Sequence, residues 1–457
     1  MRRVVFTIAE SVWLWLGGIL AAYIRLSSST SWEIVEHRGW LKLLLMVGLV
    51  QVSFYLFDLY DLRSLHRPRV ILENMAKAFA VTAIVVSVIF YAVPSLLLGR
   101  GVFVLDLVIG VTLAFISRLA VAWYIGQPHR RARERVLILG SGKLAIEMAR
   151  ATLERPGAGY FVVGFVDDKP ELLGKSLINP SVIGLSEELG AVVDNHRVDR
   201  IVVAVEDRRR NFPTGELLNL RLSGRVSVEE SGCFYERLTG KIAIDMIRPS
   251  WLIFSGGGRY SNFEHKLRRL ANVLLAGAGA LISTPVMALV AIAVKLDSRG
   301  PVFYVQERVG QNDRPFRIIK FRSMRVEAEQ DSGPVWASVA DPRVTRVGRI
   351  IRKLRLDELP QFINVLRGDM NFVGPRPERP EFVSRLSAII PYYSQRHLVR
   401  PGLTGWAQVK YPYGASAEDS AEKLRYDLYY IKNQSWFLDL VIIFETIKIV
   451  LFGRGAR

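Results

Sequence analysis

Cysteine is nearly missing from this chain of 457 residues: Cys233 stands alone, so no internal disulfide can form. Histidine is scarce too, with six scattered copies that fall into no zinc-ligand spacing. Acidic residues are in deficit, 43 Asp and Glu against 61 Lys and Arg, for a net charge of +18. Such a surplus attracts nucleic acid when aromatic residues interleave a basic strip. That strip is absent, and no nucleic-acid partner is expected. Cation-rich loops beside apolar runs point instead to cytoplasmic orientation and anionic membrane lipids. None of the 16 tyrosines has a lysine four residues later. The Tyr-x-x-x-Lys pair of a nucleotide-sugar dehydratase or epimerase is therefore missing.

Apolar length, by contrast, is plentiful. Half of the residues are hydrophobic and the mean hydropathy is +0.21. Four stretches, about 4–24, 41–60, 76–98 and 101–124, approach the roughly 20 residues a spanning helix needs. Arg2 and Arg3 ahead of the first imitate a secretory signal, but Glu10 interrupts the run and no small-residue cleavage pattern follows. Cations at Arg2, Arg3, Arg63, Arg67, Arg69, Arg130, Arg131, Arg133 and Arg135 mark one side of the membrane. The other side has Arg25, Arg38, Glu33 and Glu36 in one loop and Arg100 in the next. The positive-inside rule puts the N-terminus and everything after residue 125 in the cytoplasm.

A fifth apolar stretch, Ala271 to Val294, carries no charge but has cations on both flanks: Lys266, Arg268 and Arg269 before it, Lys295 and Arg299 after it. Pro285 near its midpoint removes a backbone donor, and the Thr284 hydroxyl can satisfy a freed carbonyl. These features predict a broken helix over 267–297 that enters and leaves by the cytoplasmic face; a full fifth span is the alternative. Near the C-terminus, 436–452 is apolar but holds Asp439, Glu445 and Lys448, which fits an interfacial helix or a plain core helix.

Between these regions, Val136-Leu-Ile-Leu-Gly140-Ser-Gly142-Lys-Leu-Ala145 reads as a strand, a glycine turn and a helix in the G-x-G-x-x-A form of a dinucleotide fingerprint. A second strand, Phe161 to Val166, ends at Asp167 and Asp168, where a ribose-binding acid would fall. A third, Arg200 to Val205, ends at Glu206. A Rossmann-like α/β domain follows. Its candidate nucleotide-binding residues are Gly140, Gly142 and Asp167, and its role is regulatory or structural binding, an empty scaffold, or catalysis.

The chemistry-bearing stretch is 352–377. Asp357 and Glu358 sit between Arg352, Lys353 and Arg355 on one side and Arg367 and Arg376 on the other. Pro360 is expected to stop a helix running in from Arg349, leaving the carboxylates at its end. Nearby cations should keep both ionised, as suits a nucleophile or metal ligand acting on phosphate. A surface ion-pair network accounts for the charge pattern equally well.

The wording of the segment resembles a known family. Leu356-Asp-Glu-Leu-Pro-Gln361, Asn364-Val-Leu-Arg-Gly-Asp-Met370 and Val373-Gly-Pro-Arg-Pro-Glu378 are similar to the signature of bacterial sugar transferases, the monotopic polyprenyl-phosphate phosphoglycosyl transferases that start exopolysaccharide and O-antigen units. So are Gly300-Pro-Val-Phe-Tyr304, Gln306-Glu-Arg-Val-Gly310, Lys320-Phe-Arg-Ser-Met324, Arg400-Pro-Gly-Leu-Thr-Gly-Trp406 and Tyr426-Asp-Leu-Tyr-Tyr430. The resemblance runs from Phe263 to the C-terminus, and the tail from Tyr411 to Arg457 resembles exopolysaccharide transferases of exosortase-type gene clusters. The middle segment resembles the CoA-binding-like module often fused ahead of them.

The resemblance implies transfer of a sugar-1-phosphate from a UDP-sugar to undecaprenyl phosphate with release of UMP. Asp357 would be the nucleophile and form a phosphosugar-aspartyl intermediate. Glu358 would assist, Lys320, Arg352 and Arg376 would hold phosphate, and Mg²⁺ would bind with Asp357 as a ligand. It also implies the re-entrant helix, with Thr284-Pro285 in place of the usual Ser-Pro. The expected architecture is a membrane protein of α plus α/β class: four transmembrane helices over 1–125, a Rossmann-like domain over 126–255, and a mostly helical catalytic domain over 256–457. A homo-oligomer and polysaccharide-assembly partners are left open. The rival readings are a dehydratase or epimerase-like enzyme and a non-catalytic membrane scaffold.

Overall fold

The computed structural model describes residues 2–27, 38–60, 68–96, 100–126, 133–205, 212–244, 262–326, 328, 341–411, 414 and 416–452. Glu33, Glu36, Arg63, Arg67, Arg130, Arg131, Glu206, Pro412, Tyr413, Ala415, the last five residues and the boundary near 255 lie outside the described residues, as do the side chains of Arg2, Arg3 and Arg100. Contacts divide the chain into two compact units, Met1–Arg135 with Arg155–Phe161, and Val136–Glu154 with Val162–Arg457.

The first unit is built on four long helices: α1 (Arg2–Leu26), α2 (Gly39–Leu56), α3 (Pro68–Ala92) and α4 (Arg100–Gly126). Each contains a segment long and apolar enough to cross a membrane. Helix α3 starts eight residues before its apolar stretch. Pro68 supplies a first-turn φ, and Ile71, Met75, Ala78, Phe79 and Thr82 recur at helical spacing as a buried face. Glu10, which interrupts the first apolar run, has its partner on α4: Arg118 donates to its carboxylate, and both side chains are buried. The Arg118 guanidinium also lies 4.4 Å from the centroid of the Phe54 ring.

In the second unit, β1 (Glu134–Leu139), α5 (Lys143–Leu153), β2 (Tyr160–Asp167), β3 (Val182–Leu185), α6 (Leu189–Asn195), β4 (Arg200–Val203), α7 (Thr214–Leu222), β5 (Ser227–Glu230) and α8 (Ser231–Thr239) form the α/β part. Its sheet has the order β3-β2-β1-β4-β5 with parallel pairs, a doubly wound arrangement. Leu137, Leu139, Val166, Ile201 and Val203 pack under Leu189, Val192, Leu217 and Leu220, so strands read as apolar runs rather than alternating ones. Gly140 has φ 109°, and a Cβ there would sit 3.0 Å from the Ala204 backbone.

The chain resumes in α9 (Asn262–Asp297), 36 residues assigned as helix without a break at Pro285. Thr284 Oγ1 donates to Ala280 O at 2.8 Å and Ser283 Oγ to Gly279 O at 2.7 Å, so hydroxyls engage the backbone beside the proline. Both ends of α9 pack on the same domain. At the N-terminal end Arg269 donates to Val365 O and Leu366 O at 2.6 Å, and Asn272 Oδ1 accepts from Phe372 N at 2.6 Å. At the other end Val290 and Val294 pack on Phe321 and Ile351, and Asp297 accepts from Val347 N at 3.0 Å. Between them Leu281, Ile282 and Leu289 are exposed.

That domain contains the hairpin β6 (Phe303–Val309) and β7 (Pro315–Phe321), α10 (Arg346–Lys353), α11 (Gln361–Arg367), β8 (Asn371–Val373), α12 (Pro380–Ile389), β9 (Gly402–Thr404), α13 (Trp406–Lys410), α14 (Ala417–Lys432) and α15 (Trp436–Phe452). Strands β8 and β9 pair in parallel with almost no room between them: a Cβ on Gly402 would fall 2.1 Å from Gly374 N, and one on Gly405 2.2 Å from Gly374 O. Close approach is why glycine stands at these positions. Helix α15 buries Ile442 and Lys448 and exposes Phe437, Leu440 and Leu451.

Candidate active site

The dyad does not sit where Pro360 was expected to place it. Helix α10 already ends at Lys353, Arg355 adopts a left-handed φ of 58°, and Leu356–Glu358 form a single 3-10 turn. Pro360 then caps the start of α11, a position that tolerates its missing donor. A non-glycine residue in the left-handed region costs of order 1 kcal/mol or more and recurs at functional sites. Here it turns the chain so that both carboxylates face β7 and the loop after β8.

Glu358 collects the cations. Arg376 Nη2 donates to its Oε1 at 2.8 Å, Lys320 Nζ does so at 3.3 Å, and Arg355 Nη1 stands 3.9 Å away. Burial opposes ionisation of Glu358, yet Arg376 and Lys320 outweigh it and hold the carboxyl well below its ordinary range. The same contact raises Arg376, and burial lowers Lys320. Lys320 is thus not a surface lysine; its side chain is 18% exposed.

Asp357 behaves differently. Among the described residues no hydrogen bond or ion pair engages its carboxylate. Burial and the charge of Glu358 push it up to about 6, with Lys320, Arg376 and Arg352 pulling the other way. The cations thus bring Glu358 alone below its ordinary value, although at about 6 Asp357 is still mostly ionised at neutral pH. One acid anchors the cations, and the other is desolvated and uncommitted, as a nucleophile requires.

Sequence reasoning left several supporting residues out of the site. Arg308 on β6 is half-buried, donates to Gln306 Oε1 at 2.6 Å and Pro377 O at 3.1 Å, and acts electrostatically on Lys320. Fully buried Asn364 accepts from Ile319 N at 3.0 Å and donates to Arg317 O at 2.7 Å. It thereby clamps α11 to the strand that carries Lys320. Arg308 and Asn364 lay inside motif blocks, but only the fold shows what they touch. Arg322, between Phe321 and Ser323, donates to the carbonyls of Ser298, Arg299 and Pro301 and ties the end of α9 to β7.

Mg²⁺ binds through one or two carboxylates together with substrate phosphate oxygens. No group of three acidic, histidine or cysteine ligands exists among the described residues. With Glu358 neutralised by Arg376 and Lys320, the Asp357 carboxylate is the one donor left in the dyad. That set fits a metal arriving with a diphosphate. In the α/β part, Gly142 caps α5, and Asp167 is buried, accepting from Lys169 N at 3.2 Å. Burial opposes its ionisation, but the Ser141 hydroxyl and Asp168 favour it, leaving the carboxyl below its usual range beside the glycine turn.

Residues 263–453 match the model of a family described as bacterial sugar transferase, and 55–209 match a CoA-binding domain model. Over 195 residues the chain is 39% identical to an exopolysaccharide production protein of Rhizobium leguminosarum bv. phaseoli, covering 41% of this chain and 98% of that protein. This chain is a bacterial sugar transferase family member.

The chain is also 48% identical over 222 residues to a UDP-N-acetylgalactosamine-undecaprenyl-phosphate N-acetylgalactosaminephosphotransferase of Aeromonas hydrophila, 49% of this chain and 52% of that one. It is 34% identical over 370 residues to an undecaprenyl-phosphate glucose phosphotransferase of Komagataeibacter xylinus, 76% and 65% of the two chains. The chain thus spans 52% and 65% of those two relatives. All the dyad and phosphate-site residues lie within the matched 263–453 segment.

Proposed function

We propose that this sugar transferase moves a sugar-1-phosphate from a UDP-sugar to undecaprenyl phosphate at the cytoplasmic face of the inner membrane, as the first membrane step of exopolysaccharide synthesis. The observation that carries the reading is the split dyad: Glu358 saturated by Arg376 and Lys320, Asp357 half-buried and uncommitted. A carboxylate oxygen of Asp357 attacks the phosphorus bonded to the sugar. The bond from that phosphorus to the UMP oxygen breaks, and UMP leaves with the electron pair. An oxygen of the lipid phosphate then attacks the same phosphorus and expels Asp357 as a free carboxylate. Arg376, Lys320 and Arg352 offset the phosphate charge throughout, and Glu358 fixes Arg376 and Lys320 in place. Mg²⁺, when bound with Asp357 and the diphosphate, would neutralise charge on the departing UMP phosphate.

The four helices of the first unit fit four membrane spans. Helix α9 fits a re-entrant element, because both its ends pack on one domain while its exposed apolar middle faces away. Gly140, Gly142 and Asp167 would offer a nucleotide a regulatory or structural site in the α/β part, the Asp167 carboxylate suiting a ribose diol. The decisive experiment incubates the protein with UDP-sugar and Mg²⁺ but no lipid. Intact-mass spectrometry should find a phosphosugar adduct on wild type and none on Asp357→Asn. No adduct under trapping conditions, together with intersecting-line kinetics, would count against a covalent route.

A further inference from the structure

Beneath the loop that presents Arg376 lies a buried charge pair the proposed chemistry does not use. Arg396, 6% exposed, donates through Nη2 to Asp427 Oδ2 at 2.8 Å, and Asp427 is 1% exposed. Its Nη1 donates to the Tyr393 hydroxyl at 2.6 Å. The Nη2 group also reaches Arg376 O at 3.0 Å, the main chain of the residue whose guanidinium holds Glu358. The guanidinium therefore joins α14, the 3-10 segment Tyr393–Leu398 and the Arg376 loop at one point.

Stability alone does not call for such a pair. Beside it Leu386, Tyr393, Leu424 and Leu428 form an apolar cluster, and burying two charges there costs desolvation that well-packed apolar residues avoid. Glu378 and Lys423 also act on Asp427, so the pair belongs to a wider set of charges under the loop. An apolar side chain in place of Arg396 would leave the Arg376 carbonyl without this donor. The loop Gly374–Pro377 has proline on both sides of Arg376, which limits its other donors.

We infer that Arg396, locked by Asp427 and Tyr393, is a positioning residue that fixes the main chain of Arg376 and so aims its guanidinium at the dyad and the substrate phosphate. The inference rests on the proposed phosphate role of Arg376, and the test separates the two. UMP release is measured for wild type, Arg376→Lys, Arg396→Gln, Tyr393→Phe and the combinations with Arg376→Lys, with folding followed by thermal melting. Arg376→Lys, which keeps charge but loses the planar fork, should lower kcat/KM about tenfold. Arg396→Gln should lower it to a similar extent, and Tyr393→Phe, which removes only one hydroxyl, several-fold.

In the Arg376→Lys background either second change should cost less than twofold more, because a misaimed fork no longer matters. Losses that multiply, or an Arg396→Gln enzyme as active as wild type, would overturn the inference. If Arg396→Gln does not fold, the Tyr393→Phe cycle decides in the same way. Full activity of Arg376→Lys would instead remove the phosphate role of Arg376 and with it the reading on which the inference stands.

Discussion

Asp357 and Glu358 are adjacent, chemically alike and oppositely tuned. Burial and the Glu358 charge push Asp357 up to about 6, so the proposed nucleophile is protonated progressively as pH falls through that value. The acid limb of kcat/KM for UMP release should therefore lie near pH 6 rather than near the ordinary aspartate value. Glu358→Gln removes a neighbouring negative charge and frees Arg376 and Lys320, both of which favour ionised Asp357. Its residual activity should be lower, with the limb displaced to more acid pH; a limb moving upward would show that the charges have been wrongly assigned. From the sequence, the two acids and their cations are plain. Which acid takes the guanidinium is not, because that depends on Arg355 turning left-handed and on β7 bringing Lys320 to Glu358 from 38 positions away.

Helices show the same division between pattern and fold. Apolar length marks α1 to α4 and α9, and the motif block containing Asn364 marks α11, but caps are harder to read. Pro360 looks like a terminator, whereas the preceding left-handed Arg355 has already ended α10 and leaves the proline to begin α11. Thr284-Pro285 looks like a break, yet the helical assignment runs through it. Paired ends, rather than a gap in the helix, support a re-entrant α9. In a chain whose native thiol is removed by Cys233→Ser, single cysteines at Lys266 and Arg299 should both resist an impermeant thiol reagent in right-side-out vesicles. Both should react after permeabilisation. Labelling of one site alone from outside would mean a full crossing.

At the scale of the molecule, the chemistry and the supporting core do not share a boundary. Every proposed phosphate-site residue follows residue 262, but Ile242 and Ile244 pack into the cluster of Phe382, Leu386, Leu424 and Leu428. Trp406 Nε1 donates to Gly240 O at 2.8 Å, and Lys241 pairs with Glu422 at 2.6 Å. A chain of residues 256–457 should retain measurable transfer in nanodiscs, and Asp357→Ala should abolish it. It should be less stable than one starting at 238 by about 3–6 kcal/mol, since two buried isoleucines are each worth roughly 1.5–3 kcal/mol. Thermal melting of the two forms checks this, and equal melting would mean that the isoleucines add nothing. A well-folded short form without turnover would show that the first half completes the active site.

The Glu10–Arg118 pair has a consequence for biosynthesis. Its partners are 108 residues apart. In the proposed four-span arrangement, Glu10 leaves the ribosome long before Arg118 exists to receive it. Charges inside apolar spans are costly unless they find a partner. In that arrangement the first helix gains this ion pair only once the last has emerged.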